Sequence, residues 1–336
     1  MDSCLHSQPL LCSSLGLALG SALLVFATGC SGPPEISPLD SSEASGAVVV
    51  KKDAAYRANV KTGAFAELSQ GHCYYELSKS ATDATNLPLL VLVHGFSVPS
   101  FIWDPTFEEA VRRGRPVLRL DLYGRGHSSN PDTTYDMELF AGQVIELLEH
   151  LDVEELVDIA GLSMGGPICI RAAADHPTRF RTLVLISPSS FAPDYGNRAR
   201  SAQPTAAEIQ RFHEERMPTW ADGQSSDFFN PEAFPDWVER CRGYAQHEGF
   251  ARALLSTNRS TKPLIQEQHA IQSARYPVHM IWGVQDEVSP YASAKANVAA
   301  RIPRAQVHLF ERCGHIPQME HPKKFNKLLF DTILNN

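Results

Sequence analysis

Apolar runs that end in polar, glycine-containing loops recur along this chain, and they restrict its fold more than any other feature. The run LPLLVLVHG (87–95) lacks polar alternation, which is typical of a strand buried on both faces. Similar runs begin at residues 115, 156, 181, 276 and 305, and stretches with helical period, such as 136–151, separate several of them. Strands that alternate with helices predict the α/β class, a mostly parallel central sheet with helices on both faces.

One long segment, residues 191–275, interrupts this alternation. It has no strand-like run and consists of helical pieces rich in aromatic residues. We predict that it forms a helical lid, inserted between body segments 47–190 and 276–336. Buried aromatic surface holds small subdomains together, so we expect the aromatic residues to form the lid's own core. Those residues are Phe228, Phe229, Trp237 and Phe250.

The N-terminal residues 1–29 differ in character from the rest of the chain. Their apolar stretch is shorter than the roughly 20 residues of a membrane-spanning helix and is typical of an export signal. The sequence ATGC before Ser31 resembles the processing site of bacterial lipoproteins, which implies a lipid attached to Cys30. A plain signal peptide or an uncleaved anchor is the alternative. Residues 30–46, rich in Ser, Pro and Gly, then predict a flexible tether, so we expect an exported protein that is membrane-anchored or secreted.

Charge and cysteine content argue against a nucleic-acid partner, a cysteine metal site and a disulfide framework. The formal net charge is −8 without long runs of one sign, which disfavours nucleic acid as a partner. The seven cysteines follow no metal-ligand spacing. For Cys73, Cys169, Cys241 and Cys313 we favour buried or free thiols over a disulfide framework.

The sequence GLSMGG places Ser163 between Gly161 and Gly165, directly after an apolar run and before a helical one. A Gly-x-Ser-x-Gly match alone is weak, but the strand–turn–helix setting is that of a nucleophile elbow. Such a turn strains the serine backbone, and we expect side chains two residues away on either side to collide with the serine. The helix that follows directs the positive end of its dipole to the same point.

A serine hydroxyl needs a base and a carboxylate that orients the base. His315, in the loop of ERCGHIPQMEHP, is the candidate base, and Asp286, directly after the apolar strand in IWGVQDEVSP, is the candidate acid. Asp194, beyond the preceding strand, remains an alternative acid. The chain order of serine, acid and histidine is the one expected on an α/β sheet of this kind.

From about residue 65 to its end, the chain resembles the α/β-hydrolase superfamily. The segments VHGF, DLYGRGHS, GLSMGG, GVQDEVSP and CGHIPQMEHP occur in the family's order. The resemblance implies the α/β-hydrolase fold and an oxyanion hole formed by the backbone N–H groups of Phe96 and Met164. A serine nucleophile places the chain with the esterases, lipases and serine-type C–C hydrolases of the superfamily.

We therefore predict a carboxylic-ester hydrolase that uses Ser163, His315 and Asp286 on a small-molecule ester or lipid. This chemistry calls for no metal and no organic cofactor. The alternatives are a C–C hydrolase of the meta-cleavage-product type, whose substrates are anionic, and a lid-bearing binding protein without activity. Three further polar residues, Asp121, His127 and His94, are expected to build loops rather than do chemistry.

Overall fold

The computed structural model describes residues 49–78, 87–196 and 203–335, which belong to a compact unit spanning Ala47–Asn336. The predicted signal segment, the tether and Cys30 lie outside the described residues. Within the described ranges, no helix has the length and apolar character needed to cross a bilayer.

The described strands form one eight-stranded sheet, and this confirms the predicted mostly parallel α/β architecture. Its order is β1-β2-β4-β3-β5-β6-β7-β8, in which β2 runs antiparallel to β1 and β4 while the pairs from β4 to β8 are parallel. The strands are β1 (Ala64–Leu68), β2 (Gly71–Ser78), β3 (Leu90–Val93), β4 (Val117–Leu120), β5 (Val157–Leu162), β6 (Phe180–Ile186), β7 (Val278–Gly283) and β8 (Gln306–Phe310).

Helices follow most of the strands and cover both faces of the sheet. The helices of the body are α1 (Ala54–Asn59), α2 (Asp104–Arg112), α3 (Met137–His150), α4 (Gly165–Asp175), α10 (Tyr291–Arg301), α11 (Pro317–Glu320) and α12 (Pro322–Lys327). The helices of the insertion are α5 (Ala206–Glu215), α6 (Met217–Gly223), α7 (Trp237–Ala245), α8 (Phe250–Ser260) and α9 (Ile265–Gln272). The side chain of Asp136 accepts the Leu139 N–H at 2.9 Å and so begins α3 with an N-cap.

The central strand β3 explains why its sequence is apolar at every position. Val91 and Val93 belong to the same core cluster as buried residues of α3 and α4, whereas Leu90 and Leu92 belong to the cluster that contains α2 and α12. All four side chains are fully buried. Because successive side chains of a strand point to opposite faces, a strand covered on both sides cannot alternate apolar and polar residues.

Between β6 and β7, the described part of residues 191–275 is helical and contains no strand of the sheet, as the sequence predicts. Phe228, Trp237 and Phe250 are buried, and Phe228 packs edge-on against Trp237 at 5.1 Å between ring centroids. Phe229 was expected in this core but is 45% exposed, because its backbone is bound at the surface by Glu320. Whether the insertion opens and closes as a lid stays a prediction.

The four cysteines within the described ranges are buried and free, which confirms the prediction for these residues. Burial in apolar surroundings raises the pKa of the Cys73 thiol to about 12. Thiols of this kind act as small apolar side chains in the core.

A buried ion pair closes the end of the sheet opposite to the β5–α4 turn. Asp158, the second residue of β5, is fully buried and accepts hydrogen bonds from Arg181 at 2.6 Å and 3.0 Å and another from Arg115. Arg115 is itself buried, and its positive charge is neutralised by the Asp158 carboxylate.

We predict that Asp158→Ala lowers the free energy of unfolding by roughly 3–5 kcal/mol, because it leaves the Arg115 guanidinium buried without its carboxylate. Urea unfolding followed by circular dichroism measures this change. The control is Glu155→Ala, an exposed position two residues before β5, where we expect a change within about 0.5 kcal/mol. Equal stability of the two variants would contradict the assignment of this ion pair.

Candidate active site

Ser163 lies in the sharp turn between β5 and α4. Its φ of 53° is in the left-handed region, which a non-glycine residue adopts only when the surrounding structure enforces it. The Ser163 N–H donates to the Ile186 carbonyl at 2.8 Å, so the end of β6 fixes the turn. This confirms the predicted strand–turn–helix setting of the serine.

The two flanking glycines are required by contacts that differ from the predicted ones. A Cβ at Gly161 would lie 2.2 Å from the Gly165 carbonyl oxygen, and a Cβ at Gly165 would lie 2.4 Å from the Val93 carbonyl oxygen. The nearest atoms at both positions therefore belong to neighbouring segments, whereas the prediction named Ser163. The glycines let the start of α4 approach the ends of β5 and β3 closely, and this approach holds the serine in place.

His315 and Asp286 are joined directly, although 29 positions separate them in the sequence. His315 Nδ1 and Asp286 Oδ2 are 2.9 Å apart, and both residues are buried. The N–H groups of Val288 and Ser289 donate to Asp286 Oδ1 at 3.0 and 2.8 Å. The carboxylate is thus fixed on one oxygen by the backbone and bound to the imidazole by the other.

The charges around this pair shift both pKa values in the direction that favours an ion pair. Burial alone would lower the pKa of His315, but Asp286 and Asp227 outweigh it and raise the pKa above the ordinary 6.5. Burial alone would raise the pKa of Asp286, but the charge of His315 and the hydrogen bonds hold it below the ordinary 3.8. The imidazole is therefore a stronger base than a free histidine.

The loop that carries His315 is bound to the insertion. The His315 N–H donates to the Asp227 carbonyl at 2.7 Å. Glu320 accepts from the Gly314 N–H at 2.6 Å and from the Phe229 N–H at 2.9 Å, so its carboxylate joins the two segments. Neither Asp227 nor Glu320 was predicted from the sequence. Glu320 lies in the quoted segment CGHIPQMEHP, which is a signal that could have found it, whereas none of the quoted segments contains Asp227.

The loop that carries Phe96 is held by Arg125, a fully buried residue that the sequence analysis also missed. Arg125 Nε donates to the Phe96 carbonyl at 2.8 Å, and Nη2 donates to Thr257 of α8 at 2.9 Å. Within the described part of the chain, neither the Phe96 N–H nor the Met164 N–H donates to a protein acceptor. Both donors therefore remain available beside Ser163.

Two cavities meet at Ser163. The tyrosine-side cavity, of about 250 Å³, is lined among others by Met164 and Tyr195, and the histidine-side cavity, of about 240 Å³, by Asp227 and His315. Phe96, Ser163 and Val288 line both cavities.

Ser163 and His315 face the histidine-side cavity together, but among the described contacts their side chains share no hydrogen bond. Hydrogen bonds of this kind commonly tighten only when a substrate is bound. The structure thus brings the predicted serine, histidine and both predicted N–H donors to one cavity system, with the predicted acid directly behind the histidine.

The alternative acid Asp194 is placed differently. It lines the tyrosine-side cavity, whereas the imidazole of His315 is bound to Asp286. The geometry therefore pairs His315 with Asp286 and not with Asp194.

The polar residues expected to build loops do so. Asp121 accepts from the N–H groups of Ser100 and His127, each at 2.8 Å, and so holds the glycine-rich turn closed. His94 Nε2 accepts from the Leu122 N–H at 2.9 Å, and burial lowers the pKa of His94 to about 4. His94 is therefore a neutral structural residue, as predicted.

Comparison with known proteins shows the family to which this chain belongs. The sequence profile of the Alpha/beta hydrolase family matches residues 90–328. The chain is 28% identical over 258 residues to the 2-hydroxymuconate semialdehyde hydrolase of Pseudomonas sp. (strain CF600), covering 73% of this chain and 86% of that protein. It is 27% identical over 275 residues to the pimeloyl-[acyl-carrier protein] methyl ester esterase of Aromatoleum aromaticum, covering 74% of this chain and 99% of that protein.

Among solved structures, the enol-lactonase from Burkholderia xenovorans LB400 superposes with a TM-score of 0.66 at 22% identity, covering 81% of this chain and 100% of that one. At this level of identity the superposition supports the fold alone.

We predict that Gly161→Ala destabilises the protein by roughly 1–3 kcal/mol, because the added Cβ would lie 2.2 Å from the Gly165 carbonyl oxygen. The matched control is Gly142→Ala in the middle of α3, where the added Cβ would meet nothing within 4 Å. There we expect a gain of up to about 1 kcal/mol from helix propensity. Urea unfolding compares the two, and a Gly161→Ala protein as stable as wild type would refute the close packing of the turn.

Proposed function

Since this chain belongs to the alpha/beta hydrolase family, we propose that it hydrolyses carboxylic esters with Ser163 as the nucleophile. In this proposal His315 is the general base and Asp286 orients its imidazole. The N–H groups of Phe96 and Met164 bind the oxyanion.

The reaction divides into two halves. The Ser163 oxygen attacks the ester carbonyl carbon as its proton passes to His315, and the negative carbonyl oxygen receives hydrogen bonds from the two N–H groups. The C–O bond then breaks, and His315 gives the proton to the departing alcohol. In the second half a water molecule attacks the acyl carbon and loses a proton to His315. The bond between the acyl carbon and the Ser163 oxygen then breaks, His315 returns the proton to that oxygen, and the acid is released.

The observation that carries this proposal is the position of Ser163. Its left-handed backbone presents the side chain to the same cavity that His315 lines, and His315 is bound at 2.9 Å to the buried Asp286. Strained backbone conformations cluster at active sites, and here the strained residue is a serine that shares a cavity with the histidine of a histidine–carboxylate pair.

Hydrolysis of a C–C bond in an anionic ring-fission product is the second candidate. It is favoured by the likeness to the 2-hydroxymuconate semialdehyde hydrolase, while the likeness to the methyl ester esterase favours esters to a similar degree. The charge of the histidine-side cavity favours the ester. Among the described residues that line this cavity there is no Lys or Arg, whereas Asp227 contributes a carboxylate. An anionic substrate would meet charges of its own sign.

We predict that Ser163→Ala lowers kcat/KM for an aryl butyrate by roughly four orders of magnitude or more, because the nucleophile is lost while the fold is kept. The control is Ser293→Ala on α10, an exposed serine outside both cavities, which should keep wild-type activity. A fluorophosphonate should label the wild type and not Ser163→Ala. Hydrolysis of a ring-fission dienoate, but of no ester, by the same preparation would favour the C–C reaction, and absence of both activities and of labelling would favour a binding protein.

We also predict how kcat/KM for ester hydrolysis depends on pH. His315 must be neutral to accept the serine proton, and its pKa lies above 6.5, so kcat/KM for a neutral ester should fall as the pH drops through a value above 6.5. A pH–rate profile from pH ~5 to ~9 locates this limb. His176→Gln, at an exposed surface histidine, should leave it in place. A limb at or below the ordinary histidine value would contradict the role of His315.

A further inference from the structure

Asp227 lies in the insertion, at the end of a short helical turn formed by Gln224–Asp227, and reaches the catalytic region from there. Its backbone carbonyl accepts the His315 N–H at 2.7 Å, and it lines the histidine-side cavity together with Ser163. A Cβ at Gly314 would lie 2.6 Å from the Asp227 carbonyl oxygen, so the two segments are in close contact. The position of Asp227 relative to the reacting groups is therefore fixed by backbone contacts.

The side chain of Asp227, unlike its backbone carbonyl, has no hydrogen-bond partner among the described residues. No described residue forms a hydrogen bond or ion pair with its carboxylate, although the neighbouring carboxylates of Asp286 and Glu320 each have two or more partners. Two other polar residues that line the histidine-side cavity bind each other, since the Ser97 hydroxyl donates to Gln224 Oε1 at 3.0 Å. A half-buried carboxylate that lines a cavity and is left without a protein partner is a group suited to a ligand.

The proposed reaction decides which part of an ester would meet Asp227. His315 must protonate the departing alcohol, so the alcohol lies on the His315 side of Ser163. Of the two proposed oxyanion donors, Met164 lines the tyrosine-side cavity alone, whereas Phe96 lines both cavities. The alcohol portion therefore occupies the histidine-side cavity, where Asp227 is the negatively charged group facing it.

We propose that the Asp227 carboxylate selects esters whose alcohol portion carries a positive charge, such as an ammonium group, and discriminates against anionic alcohols. This inference rests on the proposed ester hydrolysis and deepens it. Opposite charges in a partly desolvated cavity attract more strongly than in water.

Asp227 is a specificity-determining group in this proposal and not a second orienting acid. The Nδ1 atom of His315 is already bound to Asp286, and Asp227 contacts the histidine only through its backbone. Its charge also raises the pKa of His315, so any change at Asp227 alters both neutral and charged substrates through the base. The test must therefore compare two substrates on the same enzyme.

The experiment compares kcat/KM for choline butyrate and for 3,3-dimethylbutyl butyrate, which has carbon in place of the ammonium nitrogen. We expect the wild type to prefer the cationic ester by about tenfold and to disfavour 3-carboxypropyl butyrate by a similar factor. The butyl ester of 4-trimethylammoniobutanoic acid carries the cation on the acyl side, and we expect no such preference for it over butyl 5,5-dimethylhexanoate, its neutral analogue.

Asp227→Asn should remove most of the preference for the cationic alcohol. The matched control is Asp236→Asn, an exposed carboxylate of the same insertion outside both cavities, which should keep the preference. Thermal unfolding verifies that both variants are folded. Hydrolysis of both esters of the isosteric pair at equal rates by the wild type, or an unchanged preference in Asp227→Asn, would overturn the proposal.

The preference should also depend on pH. Burial raises the pKa of Asp227 to about 6, and the charged groups that face it are His315, Asp286 and Glu320. Because protonation of His315 affects both esters alike, the ratio of the two kcat/KM values should rise with pH through about 6. A ratio that does not change across this range would count against Asp227.

A binding measurement separates this inference from the proposed reaction. Choline butyrate should bind to Ser163→Ala with a lower Kd than its neutral isostere, and the additional Asp227→Asn change should abolish the difference. If the wild type hydrolyses neither these esters nor the aryl butyrate but this difference in Kd is found, the proposed function is wrong and the cation site stands. If esters are hydrolysed without any difference in Kd or kcat/KM, the cation site is wrong and the proposed function stands.

Discussion

The close approach of the β5–α4 turn to the end of β3 is the contact on which the rest of the site depends. Gly161 and Gly165 leave no room for a Cβ, and the backbone between them carries Ser163 with φ of 53°. The Ile186 carbonyl holds the same turn from the next strand. Because these contacts are backbone contacts at the ends of β3 and β5, two strands that are buried at every position, the serine cannot relax without moving the core.

The insertion is connected to both loops that face Ser163. Arg125 bridges the Phe96 carbonyl and Thr257 of α8, and burial lowers the pKa of this guanidinium to about 9. On the other side, the Asp227 carbonyl and Glu320 hold the loop of His315. A displacement of the insertion would therefore reach the proposed oxyanion donor and the proposed base through hydrogen bonds, and not only through the shape of the cavities.

The charges of the site are arranged around a single imidazole. Asp286 is bound to His315 on the side away from the cavity, whereas Asp227 contributes a second negative charge on the cavity side. Both raise the pKa of His315 against the effect of burial. An imidazolium formed during the reaction would be stabilised from both sides, at the cost of a cavity that disfavours anions.

The sequence by itself determined the fold class and the roles available to Ser163, Asp286 and His315, because apolar runs and glycine spacing report local structure directly. It did not identify the roles of Arg125, Asp227 or Glu320, although Arg125 lies in DLYGRGHS and Glu320 in CGHIPQMEHP, because the contacts described above join them to residues between 6 and 132 positions away. It also placed Phe229 in the core, where the contact with Glu320 leaves it at the surface. Only the tertiary structure decided which buried charges meet, because hydrogen bonds between distant segments depend on how the chain packs and not on its local periodicity.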